Sequence, residues 1–408
     1  MTGQRTWLLW VLTRAVLVIL LVTAEQGGLS DLNYYLHSFR DFGRYGWSGT
    51  LAEYPLPAVL LLIAPYAVLA AIGHSGWAPV AWVAMMLVAD LVVMLVVRRC
   101  GSTAAALLWL LATPALGSFV YARFDLVPGL LTAVAVLAMG DRPRRSALFA
   151  ALATALKYTP VLVLPALLAA HRSRRRVVLV VAAVGAVTAG VTVALGGADR
   201  LLSPLRYQSD RGLQIESVLA SGPMLARALS PSRYRIWFAP SKSWEITGPG
   251  VATALLVTTA VTVLALLALI WLWVRAWRLG DRPTTERTTW LALAATLAFI
   301  VSGKVLSPQY LGWLLPVAVV GVAATYDEAR ARLVRWTIGL LVVAALTHVV
   351  WPYAYGRLMY VGPGTTPVTL VLVIRNLMLV ALLAWALVEC VRVTRLPVDE
   401  PDEPDEPV

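Results

Sequence analysis

The sequence has 408 residues, of which 59% are hydrophobic and 14% are charged, and its mean hydropathy is +0.75. Soluble globular proteins are about half apolar and a quarter charged, so an ordinary cytosolic, secreted, fibrous or disordered protein is excluded. Uncharged runs such as 251–272 are long enough to cross about 30 Å of hydrocarbon as a helix. The composition therefore predicts an all-α polytopic membrane protein.

Short arginine clusters separate the apolar runs and predict cytoplasmic helix ends, because Lys and Arg accumulate in cytoplasmic loops. The formal net charge of +12 has the same origin, and nucleic acid is not predicted as a partner. The first apolar run, 7–22, contains Arg14 and lacks a small-residue cleavage site, which predicts a permanent span rather than a signal peptide. The clusters lie at 98–99, 142–145, 172–176, 275–287, 328–335 and 392–395.

Polar segments between the apolar runs predict turns on the opposite, outer side, and the largest are 25–54 and 197–249. The apolar run 55–72 would give one crossing too many between the first outer loop and Arg98. It is therefore predicted as a juxtamembrane or re-entrant helix on the outer side, where buried backbone is tolerated. About twelve transmembrane helices follow, with both termini in the cytoplasm.

One integral-membrane domain is predicted for 1–397, followed by a disordered acidic cytoplasmic tail at 398–408, which repeats Asp-Glu-Pro. Cys100 and Cys390 fall beside basic helix ends that are predicted to be cytoplasmic, so a structural disulfide is not expected. The four histidines show no metal-ligand spacing with one another or with either cysteine. Neither a metal nor another cofactor is predicted.

Unusual polar residues concentrate in the predicted outer turns, beginning with two carboxylates. Asp31 follows the first span, where it can act as a general base toward an attacking hydroxyl. The alternative is an N-cap, because Ser30 and Asp31 precede an apparent helix. Glu53 offers a second carboxylate, or it merely precedes a helix that begins with proline in its first turn.

Cations recur in the same outer turns. Lys157 and Lys304 lie where lysine is disfavoured, which favours their pairing with an anion such as a lipid phosphate. For Arg123 and Asp125 a mutual ion pair is an equal alternative. The run 206–217 is either a solvated surface helix or a segment that covers substrate. Together these residues indicate a site for an anionic lipid and a polyol.

The acidic first outer loop is followed along the chain by five short motifs: Tyr-Pro at 54–55, Arg-Phe-Asp-Leu-Val-Pro at 123–128, Ala-Leu-Lys-Tyr-Thr-Pro at 155–160, Arg-Gly-Leu-Gln-Ile-Glu-Ser at 211–217 and Ser-Pro-Gln-Tyr-Leu-Gly-Trp-Leu-Leu-Pro at 307–316. In this order they resemble the GT-C superfamily of integral-membrane glycosyltransferases, and within it glycosyltransferase family 87. That family includes polyprenol-phosphate-mannose-dependent mannosyltransferases and related arabinofuranosyltransferases. The likeness covers about 31–316.

The resemblance implies a GT-C fold with a catalytic aspartate in the first outer loop, and Asp31 is the residue that matches. It also implies a juxtamembrane helix in that loop, in agreement with the interpretation of 55–72. Many GT-C enzymes carry a pair of acids at this point, whereas here Leu32 and Asn33 follow Asp31. The missing pair argues against a metal-binding role and suits a polyprenyl monophosphate donor, whose phosphate Arg and Lys can bind alone.

The expected reaction is an inverting transfer of a sugar, mannose, from a polyprenyl-phosphate donor to a cell-envelope glycolipid or lipoglycan. It would occur at the outer face of the plasma membrane, with Asp31 as the base. The expected ligands of the donor phosphate are Lys157, Lys304, Arg206 and Arg211. The expected contacts to the sugar or the acceptor are Glu53, Tyr54, Arg123, Asp125, Tyr158, Gln208, Gln214, Gln309 and Tyr310.

Two alternatives remain open at this point. A polyprenyl-phosphate-arabinose-dependent arabinofuranosyltransferase fits the same residues, because nothing in the sequence separates a pyranose pocket from a furanose pocket. A lipid-linked sugar flippase or transporter would place functional polar residues at mid-membrane and on both faces, with paired repeats. The concentration of polar residues on one face favours an enzyme.

The charge distribution predicts that 172–176 and 197–249 lie on opposite sides of the membrane. Arg175→Cys and Ser209→Cys, each introduced after Cys100 and Cys390 are replaced by serine, should react differently with an impermeant maleimide on intact cells. We expect labelling of the cysteine at 209 and no labelling of the cysteine at 175 until the cells are opened. Labelling at 175 in intact cells would overturn the predicted topology.

Overall fold

The computed structural model describes residues 3–139, 142–170, 173–279 and 284–395. The predicted acidic tail, Arg172 and part of the cluster at 275–287 lie outside the described residues. In the described part the regular secondary structure is helical apart from one two-stranded hairpin and one isolated bridge. This architecture confirms the prediction of an all-α polytopic membrane protein.

Ten helices precede the large loop at 197–249 in the described part of the chain. Capping residues and prolines start several of them: the Ser102 side chain accepts a hydrogen bond from the Ala105 amide at 3.3 Å, and Pro143 is the first residue of a helix. The helices are α1 (Gly3–Thr23), α2 (Ser30–Arg40), α3 (Phe42–Gly49), α4 (Leu56–Ala71), α5 (Ala78–Arg99), α6 (Thr103–Leu116), α7 (Leu126–Leu137), α8 (Pro143–Leu156), α9 (Leu164–Ala170) and α10 (Arg174–Gly196).

The large loop and the remaining helices complete the described fold. Short 3₁₀ turns join many of the elements, among them Ser118–Tyr121 before α7 and Pro308–Tyr310 after α14. The loop contains α11 (Asp199–Ser209), α12 (Ser221–Leu229), β1 (Arg235–Phe238) and β2 (Trp244–Thr247). After it come α13 (Val251–Arg278), α14 (Thr285–Ser302), α15 (Leu311–Ala323), α16 (Asp327–His348), α17 (Tyr355–Met359) and α18 (Thr365–Val393).

The β-hairpin is an element that the sequence analysis did not predict. Its strands are antiparallel, with Arg235 opposite Thr247 and Phe238 opposite Trp244. The chain segment around Gln214 extends this small sheet, because Gln214 forms a bridge with Glu245 in β2. The hairpin therefore ties the motif at 211–217 to the rest of the large loop.

In the described residues, six helical segments are long and apolar enough to cross a membrane. Six shorter apolar helices accompany them, and one of these is α4, which occupies the apolar run 55–72. The chain is therefore a multi-pass membrane protein, whereas the total of about twelve spans and the surface position of α4 stay predictions. The six long segments are Gly3–Thr23, Ser75–Arg99, Arg174–Gly196, Val251–Arg278, Asp327–Met359 and Thr365–Val393.

Burial separates central helices from peripheral ones. Nearly every side chain of α14 and α15 is buried, whereas α10 buries only Val177 and Thr192 and presents its other apolar residues outward. Helix α7 crosses α15 in backbone contact, because a Cβ added at Gly129 would lie 2.1 Å from the carbonyl oxygen of Gly312. Small residues permit such close packing of membrane helices. The crossing places the turn before α7 beside the start of α15.

A buried ion pair joins α1 to α5. Arg14 Nε lies 2.9 Å from Asp90 Oδ2, and the two residues are 2% and 0% exposed. Asp90 also accepts hydrogen bonds from Trp10 Nε1, Trp109 Nε1 and the Tyr121 hydroxyl, at 3.1, 2.7 and 2.5 Å. Both charges are thus compensated inside the bundle, as buried charges in membrane helices require.

Removing one partner of this pair should destabilise the protein strongly, because the other charge stays buried. We expect Asp90→Leu to lower the free energy of unfolding by about 3–5 kcal/mol. The double variant Arg14→Leu, Asp90→Leu should lower it by less, because neither charge is then left buried without its partner. The measurement is the melting temperature of each variant in one detergent. Asp199→Asn is the control, because its partner Arg206 is exposed. A wild-type melting temperature for Asp90→Leu would show that the ion pair does not hold α1 to α5.

Candidate functional site

Charged side chains from separate segments of the chain meet at one end of the bundle, which we call the site face; it holds Asp31, Arg123, Lys157 and Lys304. Asp31 lies in the first turn of α2, and its Oδ2 is 3.0 Å from Arg123 Nε in the turn between α6 and α7. The residue that precedes α2 is Leu29, and no side chain caps this helix. The interpretation of Asp31 as a helix cap is therefore wrong.

Asp125 binds two partners from other elements. Lys157 Nζ lies 2.5 Å from Asp125 Oδ1, and Trp313 Nε1 donates a hydrogen bond of 2.7 Å to the same oxygen. Arg123 pairs with Asp31 instead, so the alternative of a mutual Arg123–Asp125 ion pair is wrong. The close crossing of α7 and α15 explains this arrangement, because it places Asp125 beside Trp313.

Four aromatic rings surround the Lys157 ammonium. Attraction between a cation and ring faces adds to its ion pair with Asp125, so the charge of Lys157 is compensated within the protein. Two of the rings, Tyr310 and Trp313, stack on each other with centroids 4.2 Å apart. The distances from Lys157 Nζ to the ring centroids are 5.8 Å for Tyr54, 5.0 Å for Phe124, 5.8 Å for Tyr310 and 4.9 Å for Trp313.

Glu53 is held at the rim of the site face by α2 and by the β-hairpin. The Tyr34 hydroxyl donates a hydrogen bond of 2.6 Å to Glu53 Oε1, and Lys242 Nζ lies 3.6 Å from the same oxygen. Burial and the Glu53 carboxylate both raise the pKa of Tyr34, so this hydroxyl keeps its proton. Lys242 also lies 3.9 Å from the centroid of the Tyr34 ring. The hairpin tip is thus fastened one helical turn from Asp31.

Lys304 and Arg211 form a second basic group on the site face. Lys304 Nζ donates a hydrogen bond of 2.8 Å to the carbonyl oxygen of Ser209. Burial lowers the pKa of Lys304, and the Arg211 charge lowers it further, against the opposite effect of Glu245 and Asp210. In the described ranges no carboxylate lies at ion-pair distance from Lys304 or Arg211. Two neighbouring cations of this kind suit an anionic ligand.

The three predicted amide side chains have different surroundings. Gln214 Oε1 accepts a hydrogen bond of 3.0 Å from the Leu306 amide, so it joins the large loop to the segment that follows Lys304. Gln208 Oε1 lies 3.4 Å from Arg211 Nη1, from which it accepts a hydrogen bond. Gln309 Oε1 is buried and has no hydrogen-bond partner in the structure. Gln309 is therefore the amide with an unused acceptor.

Two predicted site residues have their polar contacts in the large loop rather than on the site face. Arg206 forms an exposed ion pair of 3.1 Å with Asp199 on the same helix, α11. The Tyr158 hydroxyl donates a hydrogen bond of 2.9 Å to the Leu201 carbonyl oxygen. The structure thus brings neither side chain into the group around Asp31 or into the group around Lys304.

Four carboxylates on or beside the site face differ in how accessible they are. The exposed fractions of their side chains are 28% for Asp31, 12% for Glu53, 4% for Asp125 and 2% for Glu216. Asp125 and Glu53 each have two partners, and Glu216 is enclosed. Asp31 is therefore the carboxylate of these four that an incoming hydroxyl reaches most easily.

Sequence reasoning missed Arg200, which joins the segment 25–54 to the large loop. Its guanidinium is almost fully buried and donates hydrogen bonds of 3.0 to 3.3 Å to main-chain carbonyl oxygens of this segment. Burial lowers the pKa of Arg200. No motif marks this residue, because its partners are backbone atoms. The acceptors are the carbonyl oxygens of Trp47, Thr50, Leu51 and Ala52.

Sequence reasoning also missed Glu216 and Arg375, which join the large loop to α18. Arg375 Nη2 donates a hydrogen bond of 3.0 Å to the Glu216 carbonyl oxygen and lies 3.5 Å from Glu216 Oε2. Asn376 Nδ2 lies 3.2 Å from the Ser217 carbonyl oxygen, to which it donates. Burial raises the pKa of Glu216, against the effect of Arg375. A lone arginine in the apolar run of α18 is the signal that would have found this contact.

A third missed group surrounds Glu25, which follows α1. Its buried carboxylate accepts from the Ser118 amide at 3.1 Å, the Ser118 hydroxyl at 2.5 Å and the Tyr353 hydroxyl at 2.5 Å. Nε2 of His348 lies 2.9 Å from Oε1. Burial raises the pKa of Glu25, but the hydrogen bonds outweigh it and the net shift is downward. Glu25 thus fixes the turn that carries Arg123.

No three His, Cys, Asp or Glu side chains within 3–139, 142–170, 173–279 and 284–395 are placed to hold a metal ion. The expectation of a metal-free site stays a prediction.

The family model for glycosyltransferase family 87 matches residues 53–303 of the chain. No curated protein and no solved structure matches the chain. The matched segment contains the turn with Arg123 and Asp125, the Lys157 position and the large loop. Asp31 precedes it and Lys304 follows it directly.

Proposed function

Because the chain belongs to glycosyltransferase family 87, we propose that this membrane glycosyltransferase moves mannose from a polyprenyl-phosphate donor to a hydroxyl of a glycolipid or lipoglycan of the cell envelope. The observation that carries the proposal is the accessible carboxylate of Asp31 beside Arg123 on the site face. A donor with a long apolar tail stays in the bilayer, which explains why the enzyme is a multi-pass membrane protein.

In the proposed reaction the acceptor hydroxyl attacks the anomeric carbon of the sugar while Asp31 takes its proton. The bond from that carbon to the phosphate oxygen breaks, and polyprenyl phosphate leaves with the electron pair. Configuration at the anomeric carbon is inverted, because attack and departure occur on opposite sides. Arg123 orients the Asp31 carboxylate from a turn that Glu25 and Asp90 hold in place.

Lys304 and Arg211 are the best-placed groups for the donor phosphate, because no carboxylate pairs with either among the described residues. Their charges would stabilise the phosphate as negative charge develops on it. Lys157 was expected in the same role, but Asp125 and four rings compensate its charge. We assign Lys157 to positioning Asp125 and the aromatic wall. Arg206 was also expected in this role, but its exposed ion pair with Asp199 on α11 leaves it outside the group.

The aromatic wall and the amides would bind the sugar. Tyr54 and Tyr310 present ring faces around Lys157, and such faces suit the apolar side of a pyranose. Gln309 has a buried oxygen without a partner, which would accept a hydrogen bond from a sugar hydroxyl. Glu53 is the second carboxylate at the rim and would contact the acceptor.

The proposal places the site face outside the plasma membrane and both termini in the cytoplasm. Its support is the distribution of charge, because arginines cluster at the ends of α5, α8, α10 and α18 that lie opposite the site face. A polyprenyl-phosphate donor would then enter the site from the outer leaflet.

The direct test incubates the purified protein in lipid with radiolabelled polyprenyl-phosphate mannose and, separately, polyprenyl-phosphate arabinose. We expect label from the mannose donor in an extracted lipid acceptor. Transfer from the arabinose donor alone would identify the arabinofuranosyltransferase instead. Movement of intact donor across the bilayer without transfer would identify a flippase.

Asp31→Asn should separate a catalytic role from a structural one. The substitution keeps the side-chain volume and removes the proton acceptor, so we expect activity to fall by roughly 10²–10⁴-fold. Turnover with labelled donor and the melting temperature in the same detergent are measured together. Asp199→Asn, which removes an exposed carboxylate in the large loop, serves as the control and should retain most activity. Full activity of Asp31→Asn would remove Asp31 from the mechanism.

Substitutions of the basic residues should cause two different defects, one in donor binding and one in stability. Lys304→Ala and Arg211→Ala should keep the wild-type melting temperature but lose about 1.5–3 kcal/mol of donor binding, seen as a higher KM for the donor. Lys157→Ala should lower the melting temperature, because Asp125 loses its cation in a nearly closed position. Arg206→Ala is the exposed control and should change neither quantity. An unchanged donor KM in Lys304→Ala and in Arg211→Ala would exclude this phosphate site.

A further inference from the structure

Among the described residues at the end of the bundle opposite the site face, two groups of arginines have different surroundings. In the first, carboxylates from three helices neutralise Arg332 of α16 and Arg392 of α18. Arg332 lies 3.3 Å from Glu286 and 3.1 Å from Glu328, and Arg392 lies 2.6 Å from Glu389. This cluster holds α14, α16 and α18 together and needs no further ligand.

The second cluster lies where α8 and α10 begin, and these helices pack against each other. Arg142, Arg144 and Arg145 from the start of α8 and Arg176 from the first turn of α10 line an open cavity of about 350 Å³, together with Pro143. In the part of the chain that the structure describes, no carboxylate lies at ion-pair distance from these arginines. The cluster is therefore not neutralised as the first one is.

The neighbouring sequence adds far fewer negative than positive charges. Within 141–145 and 172–176 Asp141, outside the described residues, is the one acid against seven arginines. The first turns of α8 and α10 contain no acidic residue, although the positive end of a helix dipole favours one there. The arginines are exposed to water, and the positive ends of two helix dipoles add to their positive potential, so the cavity favours a bound anion.

Apolar surface beside the cavity favours a lipid over a free anion as its ligand. Apolar side chains are exposed on both helices just C-terminal to the arginines. They are Leu148 and Leu152 on α8, and Val178 and Leu179 on α10. A phosphate that occupies the cavity can therefore have acyl chains that lie along this apolar surface.

We propose that this cavity binds the phosphodiester headgroup of an anionic phospholipid, with Arg144, Arg145 and Arg176 as its main ligands. Guanidinium groups form paired hydrogen bonds with phosphate oxygens, and basic pockets between membrane helices bind anionic headgroups. Arg174 has another contact, because its guanidinium lies 3.7 Å from the Trp277 ring centroid. The proposal is independent of the glycosyl-transfer reaction, since none of these residues belongs to the site face.

The test measures lipid binding by the full-length protein, purified in a neutral detergent, with native mass spectrometry. Phosphatidylglycerol, phosphatidylcholine and inorganic phosphate are the three probes. We expect phosphatidylglycerol to bind most tightly and the triple variant Arg144→Gln, Arg145→Gln, Arg176→Gln to weaken its binding at least about tenfold. The control is a second triple variant, with Arg99→Gln, Arg278→Gln and Arg335→Gln. It removes the same charge at the same end of the bundle and should bind phosphatidylglycerol as the wild type does.

Three results would overturn the proposal. Equal loss of binding in the two triple variants would mean that net charge alone attracts the lipid. Tighter binding of inorganic phosphate than of phosphatidylglycerol would indicate a free-anion site, and equal binding of the two phospholipids would exclude recognition of the charged headgroup. If the triple variant does not fold, Arg176→Gln alone is compared with Arg278→Gln, and equal binding by these two contradicts the proposal.

Discussion

The turn at 117–125 between α6 and α7 holds the site face together, because four of its side chains each pair with a different element. Two of the four contacts anchor the turn to α5 and to the end of α1, and the other two carry the charges of the site. The turn cannot shift without breaking buried polar contacts, which are costly to leave unpaired. The pairs are Ser118 with Glu25, Tyr121 with Asp90, Arg123 with Asp31 and Asp125 with Lys157.

This arrangement couples the stability of the bundle to the geometry of the site. Asp90 receives the Tyr121 hydroxyl and also the Arg14 guanidinium, so the contact that fixes the turn belongs to the buried pair between α1 and α5. A site held by such contacts keeps its charges in place before substrate binds, which is what electrostatic stabilisation of a reaction requires. The turn that carries the charges of the site face is thus held by the same contacts that compensate the buried charges of the bundle.

The sequence predicted the class of fold and several of the residues that meet, but not all of their partners. Hydropathy finds the long helices because each contains an 18-residue stretch of high mean hydropathy with at most two charged residues. The motifs that contain Asp31, Arg123 and Lys157 were predicted to share a site, and the structure brings these residues together. The assignment of Arg123 to Asp31 rather than to Asp125 depends on the direction of side chains in one turn. The hydrophobic periodicity of the sequence does not reveal that direction.

Other features escaped prediction for separate physical reasons. The β-hairpin has strands of four residues, too short for alternation to stand out in a polar loop. Arg200 binds backbone carbonyl oxygens, which leave no trace in the identity of the residues that carry them. Lys157 has the composition of a phosphate ligand, yet its role depends on Asp125 and the rings that surround it.

The same physical criterion supports the phosphate sites proposed at the two ends of the molecule. A cation removed from bulk water needs a partner, and most buried cations here have a carboxylate, a carbonyl oxygen or a ring. Lys304 and Arg211, which are partly buried, and the exposed arginines where α8 and α10 begin are two groups of neighbouring cations for which the described residues supply no ion-paired carboxylate. Like charges at close range repel unless an anion lies between them. The missing partner in each case is therefore expected to be a ligand, and its charge to be negative.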